Sequence, residues 1–230
     1  MTFWIIAIAT MALSFWAAAR VKSVYRRYSR LPVRSGVTGA EAADRILRAA
    51  GIRDVEIVEH DEMLGDHYDP MKKRLVLSRE NYHGSSPAAL GVAAHEAGHA
   101  LQHAQAYKPL MWRMAAVGAT TFASQVVMWL PVVGIFTGLI APLTGAALMA
   151  AAWGVIMLFN LVTLPVEFDA SRRAKAVLLR MSLINSHEER EGVEKVLNAA
   201  ALTYVAAFVT SLAYLLWHLL PLLVGGRSRE

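Results

Sequence analysis

Four stretches of this chain carry no charge over a length that spans a bilayer, and they constrain its fold more than any motif does. The first, TFWIIAIATMALSFWAAA, runs from Thr2 to Ala19. The second runs from Met114 to about Val133, the third from about Gly138 to Leu164, and the fourth from Ala199 to about Val224. Each approaches or exceeds the roughly 20 residues a helix needs to cross about 30 Å of hydrocarbon. A hydrophobic fraction of 56% and a mean hydropathy of +0.38 agree with membrane spans rather than a soluble core. Arg20 and Lys22 follow the first stretch and no basic residue precedes it, so it reads as an uncleaved anchor, not a signal peptide. A short turn around Pro131 and Gly134 is expected to join the second and third spans.

The charges choose an orientation. Of 23 Lys and Arg, 15 lie between Arg20 and Arg113 and six between Arg172 and Lys195, leaving only Arg227 and Arg229. With both termini outside, four spans place nearly all of them on one side, and the positive-inside rule makes that side the cytoplasm. The run RVKSVYRRYSR after the first span is the strongest contribution. Basic residues flanking apolar spans also account for the net charge of +5 and the pI near 9.6, so no nucleic-acid partner is implied. The chain has no cysteine, which excludes disulfides, a thiol nucleophile and thiolate metal sites. Any metal must be held by His, Asp or Glu.

Six segments follow: an anchor (1–19), a cytoplasmic α+β part (20–112), a transmembrane hairpin (113–164), a cytoplasmic helical segment (165–198), the last span (199–224) and a tail (225–230). In the α+β part, SGVTGAEAADRILRAAGI offers Thr38 as a cap, Glu41 three residues on and Gly51 at the end, the marks of a short helix. VEIVEH (55–60) and RLVLS (74–78) have strand character, and DHYDP between them reads as a turn. SSPAALGVAAHEAGHALQHAQA reads as a helix capped near Ser86, with Pro87 in its first turn.

That helix carries HEAGH. His95 and His99 are four residues apart, so both imidazoles project from one face and can hold a single Zn²⁺. Glu96 points slightly aside, placed to take a proton from metal-activated water instead of binding the metal. Two histidines and a glutamate on an alanine-rich helix would be costly to bury without such a partner. His103 continues the face and could be a fourth ligand, a supporting group or an interfacial histidine.

A catalytic zinc takes three protein ligands and keeps one position open. The extended HExxHxxGxxH pattern is absent, because its glycine would fall at Gln102 and its third histidine at Gln105. LPVEFDASRRAKAVLL (164–179) begins where the third span returns to the cytoplasm, which makes Glu167 the leading third ligand. Pro165 suits a helix start, where Glu167 and Asp169 would favour the positive end of the dipole. His67 and Tyr68 of DHYDP are types that stabilise an oxyanion in zinc hydrolysis, although the stretch also fits an ordinary turn.

DHYDP, VAAHEAGHALQH, YKPL, LPVEFDASRRA and KVLNAAALTYVAA together resemble the YugP-type bacterial membrane zinc metallopeptidases, over almost the whole chain. The resemblance implies His95, His99 and Glu167 as zinc ligands and Glu96 as general base. More distantly the layout is similar to the membrane gluzincins that include HtpX-like and CAAX-processing proteases. Those carry their third Glu in an E-x-x-x-D pattern. Here Ser171 stands at the fourth place and Asp169 two residues along, facing elsewhere on a helix. Site-2-type intramembrane proteases differ, since the HEAGH helix is too polar and short to span and EFD is not an Asp-Gly inside a span.

The resulting expectation is a mainly α membrane protein with four transmembrane helices and a small cytoplasmic α+β, zincin-like HExxH subdomain. It would sit in a bacterial plasma or inner membrane and act as a zinc-dependent endopeptidase on membrane or membrane-proximal proteins at the cytoplasmic face. RLVLS could pair with an extended substrate, as edge strands do. The alternative is a non-proteolytic membrane adaptor or regulator with a structural or peptide-binding zinc, which a fourth protein ligand would favour.

Overall fold

The computed structural model describes residues 2–61 and 65–225, and nearly all of the expected tail (226–230, with Arg227 and Arg229) lies outside the described residues. Among the described residues, seven helices and three strands follow in the order α1 (Thr2–Tyr28), α2 (Gly39–Ala49), β1 (Glu56–His60), β2 (His67–Asp69), β3 (Arg74–Ser78), α3 (Arg79–His83), α4 (Pro87–Ala104), α5 (Lys108–Thr137), α6 (Pro142–Arg180) and α7 (His187–Gly225). The protein is mainly helical, with one small sheet. Helices α1, α5, α6 and α7 are each long and apolar enough to cross a membrane.

The described residues up to Trp16, Trp112–Leu164 and those from Thr203 onward form one compact unit. Large apolar side chains lie on its outside, Phe122 being 72% and Phe136 85% exposed, which suits contact with lipid rather than water. Inside it, Trp153 stacks on Tyr214 with ring centroids 4.6 Å apart. Asn160 Nδ2 donates to Ala207 O at 3.2 Å and Ser211 Oγ at 3.1 Å, a polar tie between α6 and α7. Pro131 and Gly134 do not form the expected turn but lie within α5. A proline costs one backbone hydrogen bond, and helices in apolar surroundings tolerate that loss. The helix ends instead at Gly138, whose φ of +64° suits a C-terminal stop.

Ala17–Met111 and Pro165–Leu202 form the second unit. Thr38 caps α2 in a reciprocal box with Glu41: Glu41 N–H donates to the Thr38 hydroxyl at 3.2 Å and Thr38 N–H to the Glu41 carboxylate at 3.0 Å. Ser86 caps α4 through Ala89 N–H, with Pro87 in the first turn. Three-stranded pairing in the order β1-β3-β2 places β3 in the middle, parallel to β1 and antiparallel to β2. Two expectations therefore change. DHYDP supplies strand β2, with Tyr68 opposite Leu75, and the turn comes later, where the Asp69 carboxylate accepts from Met71 and Lys72 N–H. RLVLS is the central strand, paired with β1 along its length and with β2 over Arg74–Val76, so it is not the free edge strand expected to take a substrate.

The core of this unit joins Ile46 and Leu47 of α2, Leu75 and Leu77 of β3, Leu90, Ala93 and Ala97 of α4, Leu178 of α6, and Val193 and Leu197 of α7. Alanines on α4 allow its neighbours to approach closely. Pro165 does not start a helix: α6 continues through it, so Glu167 and Asp169 lie inside the helix and not at a positive terminus. Burial of Val166, Ala170, Ala174 and Leu178, one turn apart, holds this part of α6 in place.

Candidate metal centre

Helix α4 supplies two imidazoles and α6 one carboxylate to the same point. His95 Nε2 lies 3.1 Å from Glu167 Oε2 and His99 Nε2 lies 3.5 Å from the same oxygen. The two rings meet edge to face, with centroids 4.8 Å apart. Each of the three offers one ligand atom, and these atoms lie within 4.8 Å of one another. Ligands held at about 2.0–2.1 Å around a tetrahedral zinc are separated by roughly 3.3 Å, close to the two His–Glu167 distances, so small side-chain shifts would bring all three atoms onto that ion. Two nitrogens and one oxygen, with no sulfur, also suit zinc chemically. Glu167 is sealed at 1% exposure, while the two histidines keep access to solvent.

Close approach of α4 and α6 makes this convergence possible. A Cβ on Gly98 would lie 3.0 Å from Ala170 O and 3.3 Å from Ala170 Cα, so the HEAGH glycine is required where the helices touch.

The far nitrogen of each imidazole is held as well. His99 Nδ1 lies 3.0 Å from Gln102 Oε1, and His95 Nδ1 lies 3.2 Å from Ser171 Oγ. Because an amide oxygen only accepts, His99 donates from Nδ1 to Gln102, which leaves Nε2 as the nitrogen that faces Glu167 and could ligate a metal once it gives up its own proton. Gln102 is fully buried and donates through Nε2 to Val166 O at 2.8 Å and Asp169 Oδ2 at 2.9 Å. Asp169 in turn accepts from Arg173 Nε at 2.5 Å and pairs with Arg172. Asp169 thus reaches His99 through a glutamine that the sequence shows only as a mismatch to the extended motif. The visible signal was a lone amide on an alanine-rich helix, one turn beyond the second histidine. Ser171, at the place where the gluzincin pattern has Asp, supports His95 directly.

Glu96 is largely buried, and its carboxylate makes no hydrogen bond or ion pair among the described residues. Burial lowers the His99 pKa, but the Glu167 hydrogen bond and the Glu96 and Glu167 charges outweigh it and raise the value above 6.5.

The remaining candidates lie outside the trio. Tyr68 Oη and His103 Nδ1 are 2.9 Å apart, and both line a cavity of about 410 Å³ with Asp54, Lys73, Ala100 and Ala104. His103 is thereby engaged with β2. His67 is exposed and donates from Nδ1 to Gly65 O at 2.7 Å. As neighbours on one strand, His67 and Tyr68 point to opposite faces.

Comparison with known proteins agrees with this chemistry. A family model described as "Putative neutral zinc metallopeptidase" matches residues 3–223. The "Putative membrane protease YugP" of Bacillus subtilis (strain 168) is 44% identical over 226 residues, covering 98% of each chain. No solved structure matches.

Proposed function

The chain belongs to the putative neutral zinc metallopeptidase family, and from that premise we propose that it is a membrane-anchored endopeptidase with His95, His99 and Glu167 as zinc ligands and Glu96 as general base. The observation that carries this reading is the convergence of those three ligand atoms beside an uncommitted glutamate. When bound, zinc supplies a Lewis acid that polarises a carbonyl and makes water acidic enough to attack it. Glu96 takes the proton of the attacking water and returns it to the leaving amine. Ser171 and Gln102 keep both Nε2 atoms aimed inward, and Asp169 steadies Gln102. His103 bonds to Tyr68, which supports a site of three protein ligands over a closed structural one.

In this reading the second unit is a zincin-like HExxH subdomain on the cytoplasmic side, carried by the basic residues that surround it. Substrates are membrane proteins with cytoplasmic segments, or peptides reaching that face.

The purified protein is expected to cleave an unstructured casein, to stop after chelation and to recover with zinc. Cleavage indifferent to chelation would sink the assignment. The absence of native cysteine makes the placement testable with Lys72→Cys, an exposed position. Labelling by an impermeant maleimide from outside intact cells would contradict a cytoplasmic site.

A further inference from the structure

The last turns of α1 carry a second feature that the peptidase chemistry does not use. Val24 and Tyr28 are buried against Ala88, Val196 and Ala199, with Val21 and Tyr25 packed beside them. At 100° per residue this strip is opposite to the one bearing Ala19, Lys22, Ser23, Arg26 and Arg27. Those five residues, with Arg30 just past the helix end, line a surface hollow of about 480 Å³. All four cations are exposed. Among the described residues, Lys22, Arg26 and Arg30 form no ion pair, and Arg27 lies 5.5 Å from the Tyr28 ring centre.

An ordinary solvated helix face mixes signs. This one presents four positive charges and no carboxylate, directly after the uncharged residues 2–19 on the same continuous helix. Its apolar limit is Ala19 and its far end is Arg30, so the hollow grades from apolar to cationic as a phospholipid does from acyl chain to phosphate. We propose that this strip is a binding site for the headgroup phosphate of an anionic phospholipid, with Lys22, Arg26 and Arg30 as the phosphate contacts and Ala19 at the acyl end. Sidedness of the membrane requires only positive charge near a span. A site requires, in addition, that the charges share one face and lack protein partners, and among the described residues Lys22, Arg26 and Arg30 do, whereas Arg27 is engaged by Tyr28 and the Glu191 charge.

Native mass spectrometry of the full-length protein in mild detergent tests this, using dioleoyl phosphatidylglycerol and dioleoyl phosphatidylcholine as probes. Wild type is expected to retain phosphatidylglycerol preferentially. Each exposed cation near an anionic headgroup is worth roughly fivefold, so Lys22→Gln/Arg26→Gln/Arg30→Gln should lower retention at least tenfold. The charge-preserving Lys22→Arg/Arg26→Lys/Arg30→Lys should retain the lipid, and Arg45→Gln/Arg53→Gln/Lys72→Gln, equal in charge but elsewhere, should behave as wild type. Equal retention of both lipids, undiminished retention by the neutralised variant, or an equal loss in the distant control would overturn the proposal. Displacement of the lipid by millimolar inorganic phosphate would also overturn it, assigning the strip to free anions instead.

Discussion

Glu167 Oε2 stands 3.1 Å from His95 Nε2 across 72 residues of sequence, with the carboxylate sealed from solvent. A buried acid pointed at an imidazole can be an ion pair or half of a metal site. The second imidazole, His99, aimed at the same oxygen supports the metal-site reading proposed above. Glu167→Ala should therefore lower zinc affinity more than about 100-fold, beyond what loss of a supporting residue costs. Zinc content after dialysis measures this, and retention of one equivalent would require another third ligand.

Gln102 touches no ligand position itself but accepts from His99 Nδ1 and ties it to Asp169. Gln102→Ala is expected to weaken zinc binding about 10- to 100-fold. Competition with a chromophoric chelator reads the change. Unaltered affinity would make this buried network structural only.

Gly98 faces the Ala170 backbone at a distance no side chain tolerates well. Gly98→Val should separate α4 from α6, costing about 1–3 kcal/mol by overpacking and lowering zinc content with it. A thermal melt and a metal assay on one preparation check both; zinc held normally at reduced stability would show that the ligands do not depend on this contact.

The raised pKa of His99 has a definite sign. In the metal-free protein its protonation contributes stability fully present below 6.5, and this is lost as pH rises through the raised folded value. Zinc must displace the same proton, so apparent zinc affinity falls with falling pH, up to about tenfold per unit below the His99 pKa. Chelator competition at pH 8 and pH 6 tests it, and a flat profile would contradict the coupling.

Much of this was legible before any coordinates, for reasons that differ by element. Thr38 with Glu41 and Ser86 with Pro87 marked helix starts because caps are local chemistry. The i,i+4 spacing placed His95 and His99 on one face because helical periodicity is also local. Helix continuity through Pro131 and Pro165 was not legible, since a proline's cost is offset by surroundings that composition does not describe. Strand β2 was hidden in DHYDP because its pairing with β3 is a tertiary choice, and the central place of β3 depends on a parallel partner 18 residues earlier. Gln102 and Ser171 stayed unnoticed as supports because neutral side chains reveal a role only through what they touch.

The most direct test of the peptidase account is Glu96→Gln, assayed together for bound zinc and for cleavage of an unstructured casein. The substitution keeps the shape of the side chain, and among the described residues the Glu96 carboxylate has no hydrogen bond or ion pair to lose. One zinc retained with cleavage lowered about 10²- to 10⁴-fold is the expected result. Cleavage equal to wild type by a zinc-loaded Glu96→Gln protein would contradict it.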